Sequence, residues 1–73
     1  MVFASKLREV RVRRALTQQS VAEAINVSLR AYQFYEQGTR EPSLDSLIRL
    51  ADFLNVSVDY LLGRIQSFED FTR

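Results

Sequence analysis

Apolar residues recur along this chain at intervals of three and four, and no stretch alternates apolar with polar residues as a strand does. Phe3, Leu7 and Val10 are spaced by four and three, which marks one face of a first helix. Thr17 suits the N-cap of a second helix, because its hydroxyl can accept from a free N–H of the first turn. Val21, Ala22 and Ile25 then form that helix's inner face. Ser28 offers the same cap to a third helix, with Tyr32 and Tyr35 inward and an end near Gly38. The segment Gly38-Thr39-Arg40-Glu41-Pro42 holds one of two glycines and the only proline, and reads as a loop. Ser43 opens a fourth helix, along which Leu44, Leu47, Ile48, Ala51 and Leu54 trace an apolar stripe expected to be core. Asp45 in its first turn suits the positive end of the helix dipole. Ser57 and Asp59 repeat the start signal for a short fifth helix, Val58 to Leu62, stopped by Gly63. The pattern predicts an all-α domain of five short helices over residues 1–63, with a short tail from 64 to 73.

Composition narrows the chemistry. At 73 residues the chain lies near the lower end of what folds without a staple. It has no cysteine, which excludes a disulfide or a Cys-based zinc site, and no histidine, the commonest general base and metal ligand. Hydrophobic residues at 47% suffice for a packed core. The apolar runs are too short to span a membrane, and Met1 to Lys6 lacks a signal-like apolar segment, so a cytoplasmic protein is expected. These features favour a binding protein over an enzyme, with no cofactor and no metal. The net charge of +1 hides an asymmetry: seven basic residues against three acids up to Arg40 give +4, and three against six from Glu41 onward give −3. Such polarity suits a positive face laid on phosphate and equally suits two ordinary solvated surfaces.

The informative stretch runs from Thr17 to Gln37. Where two helices cross at close range the first needs a small residue, and Ala22 supplies it. Four residues later the turn needs a residue that tolerates a left-handed backbone, and Asn26 does so better than most. Six residues further on, Tyr32 can anchor the second helix to the core. Small, left-handed and anchoring residues at these intervals between capped amphipathic helices are the marks of a helix-turn-helix.

Three runs carry a resemblance: Leu16 to Ser28 (LTQQSVAEAINVS), Tyr35 to Leu44 (YEQGTREPSL) and Leu50 to Gly63 (LADFLNVSVDYLLG). Together they resemble the Cro/repressor-like, XRE-type family of transcriptional regulators, in register over about the first 63 residues. The resemblance implies a lambda-repressor-like domain whose second and third helices form the helix-turn-helix. It implies double-stranded DNA as partner, a homodimer on an approximately palindromic operator, and the third helix lying in the major groove. Ser28, Leu29, Arg30, Gln33 and Phe34 become base-reading candidates, with Arg30 foremost because its planar fork matches guanine O6 and N7. Arg11, Thr17, Gln18, Gln37, Thr39 and Arg40 become phosphate contacts. Glu36 resembles a glutamate that pairs in this family with an arginine of the first helix, here Arg11. Tyr60 and Leu62 of the fifth helix, with Ile65, Phe68 and Phe71 of the tail, are candidate dimer contacts.

The chain departs from the family pattern at three places. Ala15 replaces the usual helix-ending glycine, so that corner must turn without an easy left-handed residue. Ser20 replaces the glutamate of a capping box and loses one of its two reciprocal bonds. Phe34 occupies a commonly polar site and adds an apolar face to the third helix, which leaves room for methyl-rich operators or for a protein partner. The basic cluster Arg11-Val12-Arg13-Arg14 reads either as a phosphate clamp or as a solvated helix end. The tail either packs back on the domain or meets a partner chain, as in a DNA-binding antitoxin. No effector domain follows in this sequence, which also fits the N-terminal part of a longer repressor.

Overall fold

In a computed structural model that describes residues 2–65, the chain forms α1 (Val2–Arg13), α2 (Gln18–Ala24), α3 (Leu29–Gln37), α4 (Leu44–Leu54) and α5 (Val58–Leu61). All five helices end in the same way. The residue after each last turn takes a left-handed conformation: Ala15, Asn26, Gly38, Asn55 and Gly63, at φ 58°, 62°, 80°, 59° and 79°. The next N–H then reaches back across six residues to a carbonyl of the helix, as from Leu16 to Arg11 (3.1 Å), Val27 to Ala22 (3.0 Å) and Val56 to Ala51 (3.0 Å). Carbonyls that would otherwise be orphaned are thereby satisfied.

Three of these corners also start the next helix. Ala15-Leu16-Thr17, Asn26-Val27-Ser28 and Asn55-Val56-Ser57 each place a left-handed residue, an apolar residue and a hydroxyl cap in succession. The hydroxyls of Thr17, Ser28, Ser43 and Ser57 accept from the N–H groups of Ser20, Ala31, Ser46 and Tyr60 at 3.0–3.1 Å. The middle residue turns inward: Val56 is fully buried, and Leu16 and Val27 pack against the core. Ser20 does not replace the lost capping-box bond: its hydroxyl donates to the Thr17 carbonyl at 2.8 Å and does not accept from the Thr17 N–H.

The core is built from Phe3, Leu7 and Val10 of α1, Val21, Ala22 and Ile25 of the α2 segment, and Tyr32 and Tyr35 of α3. These are the faces expected from the spacing. Helix α3 packs on both α2 and α1, and α5 packs on α1 and α4.

Helix α4 departs from expectation. Its buried apolar residues are Leu50, Ala51 and Leu54, with Leu47 partly buried against them. Leu44 and Ile48 of the expected stripe are 73% and 47% exposed. Apolar residues lie on more than one face of this helix, so periodicity alone could not choose between faces. Tyr60 also departs: it is 1% exposed, with the Lys6 ammonium 4.7 Å from its ring centre, and is a core residue rather than a dimer contact. One turn packed between two helices turns Tyr60 and Leu61 inward and leaves Leu62 outside. At the stop, Gly63 is favoured by its positive φ, and a Cβ there would also force the exposed Val2 side chain to shift.

The basic cluster at the end of α1 divides three ways. Arg13 pairs with Glu9 one turn back at 3.3 Å. Arg14 donates to the carbonyls of Leu54 (2.9 Å) and Asn55 (3.3 Å), fastening α1 to the end of α4. Arg11 turns to α3. The cluster is neither a single clamp nor a simple solvated end.

Ala15 is the strained corner. A left-handed backbone costs an L-residue about 1–2 kcal/mol, and glycine gives back part of the relief, roughly 0.4–1 kcal/mol, through a freer unfolded chain. Ala15→Gly is therefore expected to stabilise the domain, with a net gain near 1 kcal/mol raising the midpoint by roughly 4–8 °C for a domain this size. Thermal unfolding by circular dichroism measures this, and an unchanged or lowered midpoint would show that the corner holds no strain.

Candidate nucleic-acid interface

At the junction of α1, α2 and α3 lies one carboxylate. The Glu36 side chain is 4% exposed. It accepts from Arg11 Nε at 2.6 Å and Nη2 at 3.3 Å, from Gln18 Nε2 at 3.1 Å, and from the Tyr32 hydroxyl one turn earlier on α3. Arg11 spends a further N–H on the Leu16 carbonyl at 2.9 Å. Burial alone would push the Glu36 carboxyl up, but the bonds from Arg11, Tyr32 and Gln18 outweigh it and hold the group below its ordinary range. Burial, reinforced by the Glu36 bond, pushes the Tyr32 phenol up, and the same carboxylate raises Arg11. At neutral pH the cluster is a carboxylate, a guanidinium and a neutral phenol.

The network continues outward. With its amide nitrogen on Glu36, Gln18 presents Oε1 to Gln33 Nε2 at 3.4 Å. A buried charge thus orients an amide on α2, which in turn positions a side chain on the outward face of α3. Arg8, Arg11, Thr17, Gln18, Gln33 and Gln37 line an open cleft over this junction, together with Leu16 and Glu36. The paired charges of Arg11 and Glu36 cancel within it. Arg8 has no ion pair among the described residues and supplies the cleft's positive charge. The sequence reading passed over Arg8, although its place three residues before Arg11 puts both on one helical face.

The remaining candidates sort by environment. Ala22 is fully buried where α2 meets α3, Asn26 forms the left-handed corner, and Tyr32 is fully buried, meeting Tyr35 edge-on at 6.4 Å. Ser28 and Thr17 are exposed and serve as caps. Leu29, Gln33 and Phe34 are half-buried, while Arg30, Gln37, Thr39 and Arg40 are exposed. Arg11 was expected on phosphate, yet at least three of its five donors are taken inside the protein. Of the remaining tail and α5 candidates, Leu62 is 44% exposed and Ile65 packs on the core, while Phe68 and Phe71 lie outside the described residues.

Two capped helices joined through a left-handed corner, the second presenting a polar outward face, define a helix-turn-helix protein. The chain belongs to the Cro/repressor-like, XRE-type helix-turn-helix family of transcriptional regulators: the helix-turn-helix family model matches residues 7–61. It is 41% identical over 61 residues to the uncharacterized HTH-type transcriptional regulator YqaE of Bacillus subtilis, covering 84% of this chain and 53% of that one. It is likewise 41% identical over 62 residues to the cryptic phage CTXphi transcriptional repressor RstR of Vibrio cholerae, covering 85% and 56%. The chain thus spans about half the length of the curated relatives it matches. The fold is also similar to that of the P22 c2 repressor crystallised with a synthetic operator, at a TM-score of 0.79 and 26% identity, covering 84% of this chain and 92% of that one.

The lowered Glu36 value sets a pH dependence. The unfolded carboxyl holds its proton up to a higher pH than the folded one, so the unfolded state binds more protons in between and stability rises with pH there. The contribution is fully present above the ordinary value of 4.5 and is lost as pH falls through the depressed folded value. Glu36→Gln leaves the part-buried Arg11 without its counter-charge, at a cost of about 1–3 kcal/mol at neutral pH. That cost is expected to shrink as urea unfolding of both proteins is repeated toward about pH 3. A gap independent of pH would mean that the carboxylate charge is not what the network uses.

Proposed function

We propose that this domain binds double-stranded DNA in a sequence-specific manner and represses transcription as a two-fold dimer on an inverted-repeat operator. The observation that carries the proposal is the chain of contacts from buried Glu36 through Gln18 to Gln33, which sets the outward face of α3 beside the cleft of Arg8. An oriented polar face next to an uncompensated cation suits base edges and phosphate together. The P22 c2 repressor is seen on an operator, and RstR is named as a repressor, which supports the same use for this fold here.

In this reading Arg30 reads guanine, Gln33 pairs with adenine or bonds a phosphate, Ser28 and Leu29 complete the base-facing surface, and Phe34 lies beside Arg30. Phosphate falls to Arg8, Thr17, Gln18, Gln37, Thr39 and Arg40, while Arg11 holds α3 in place. Dimer contact falls to exposed apolar residues. Leu62 and Val2 line one shallow cleft with Leu47, and Leu44 and Ile48 stand exposed on the same helix as Leu47.

Binding selection from a random duplex library tests this. An inverted repeat with half-sites one helical turn apart, roughly 34 Å in B-DNA, is the expected product. On the recovered operator Arg30→Ala is expected to relax one base position, losing about 1–3 kcal/mol of discrimination. Arg8→Ala is expected to weaken all sequences alike and lower the salt slope by about one. Recovery of no motif by folded protein would overturn the proposal.

A further inference from the structure

The outward face of α3 carries one aromatic side chain, and it touches two cations. The guanidinium carbon of Arg30, one turn earlier on the helix, lies 5.4 Å from the centre of the Phe34 ring. That of Arg40, in the loop beyond the helix, lies 4.9 Å from the same centre. The loop is fastened to Phe34 through the backbone as well, because Thr39 donates to the Phe34 carbonyl from its N–H at 3.1 Å and from its hydroxyl at 3.4 Å. Arg40 follows directly. Both arginines are exposed, and neither has an ion pair among the described residues.

We propose that Phe34 is a positioning residue for DNA reading: it brackets the Arg30 and Arg40 guanidiniums and so links the base-reading side chain to the loop that meets the backbone. This rests on the DNA-binding reading above. The choice of an aromatic ring has a chemical reason. A carboxylate would hold an arginine by its edge, consuming the N–H donors and cancelling the charge. A ring holds the guanidinium by its face, so the in-plane donors and the positive charge stay available to guanine and phosphate. A leucine would fill the space without attracting either cation. Ordering the two side chains before contact also removes part of the rotamer entropy otherwise lost on binding.

The test compares Phe34→Leu and Phe34→Tyr in wild-type, Arg30→Ala and Arg30→Ala/Arg40→Ala backgrounds, with fluorescence anisotropy on the selected operator and on a scrambled duplex. Each exposed cation–π contact corresponds to roughly a two- to fivefold effect, so Phe34→Leu is expected to weaken operator binding about four- to twenty-fivefold. Scrambled DNA should be affected less, and Phe34→Tyr should bind like the wild type. The cost of Phe34→Leu should fall when Arg30 is absent and vanish when both arginines are. An equal cost in all backgrounds would mean that the ring touches DNA itself and would overturn the bracket, as would no cost in the wild type. NMR of the protein without DNA separates this proposal from the reading beneath it. Ring-current shifts on the Arg30 and Arg40 side chains, lost in Phe34→Leu, are expected whether or not any duplex binds. Their absence in the wild type would overturn the bracket alone.

Discussion

One buried carboxylate organises this domain. Glu36 has left water almost entirely, and a charge so placed must be met by donors at fixed distances. Its donors come from three helices: Arg11 on α1, Gln18 on α2 and Tyr32 on α3 itself. Hydrophobic burial tells these helices to pack but leaves their rotation and slide loosely specified. The carboxylate removes that freedom, since a shift of an ångström at any partner would strand a charge. The net stability of such a cluster is small, because desolvation offsets much of the attraction. Its contribution lies in orientation, carried to the surface by Gln18 and Gln33.

The domain uses arginine in two opposed ways. Arg11 and Arg14 are satisfied within the protein, by a carboxylate and by the carbonyls at the end of α4. They act as struts. Among the described residues Arg30 and Arg40 meet the face of a ring and no carboxylate, which leaves their donors free of ion pairs there. The even-looking spread of basic residues along the first half of the chain therefore divides into residues that build the surface and residues left on it.

That division marks the limit of what the sequence discloses. The inner faces of α1 and α3 were legible because most of their apolar residues fall on one stripe, Val2, Val12 and Phe34 apart. Helix α4 was not, since it has apolar residues at 44, 47, 48, 50, 51, 53 and 54, and only its neighbours decide which side is buried. Tyr60 was misplaced for a related reason: a single turn is too short for a period to be read. The Glu36–Arg11 pair came from resemblance, whereas the engagement of Arg14 and the openness of Arg8 depend on contacts 40 residues apart or on their absence. Phe34 was recognisable as unusual, but its contacts with Arg30 and Arg40 needed the folded positions of all three.

The repeated corners have a consequence for how the chain reaches this structure. Each of the three stop-and-start tripeptides is decided by residues adjacent in sequence, with hydrogen bonds that close within a single turn of its helix. Little of the topology waits on distant strands finding one another, and chains dominated by such local contacts fold in microseconds to milliseconds. Each bend needs only the first turn of the following helix to close its cap, so the corners can form without distant contacts. The helices themselves, none longer than twelve residues, are stabilised chiefly by packing together around the one Glu36 charge.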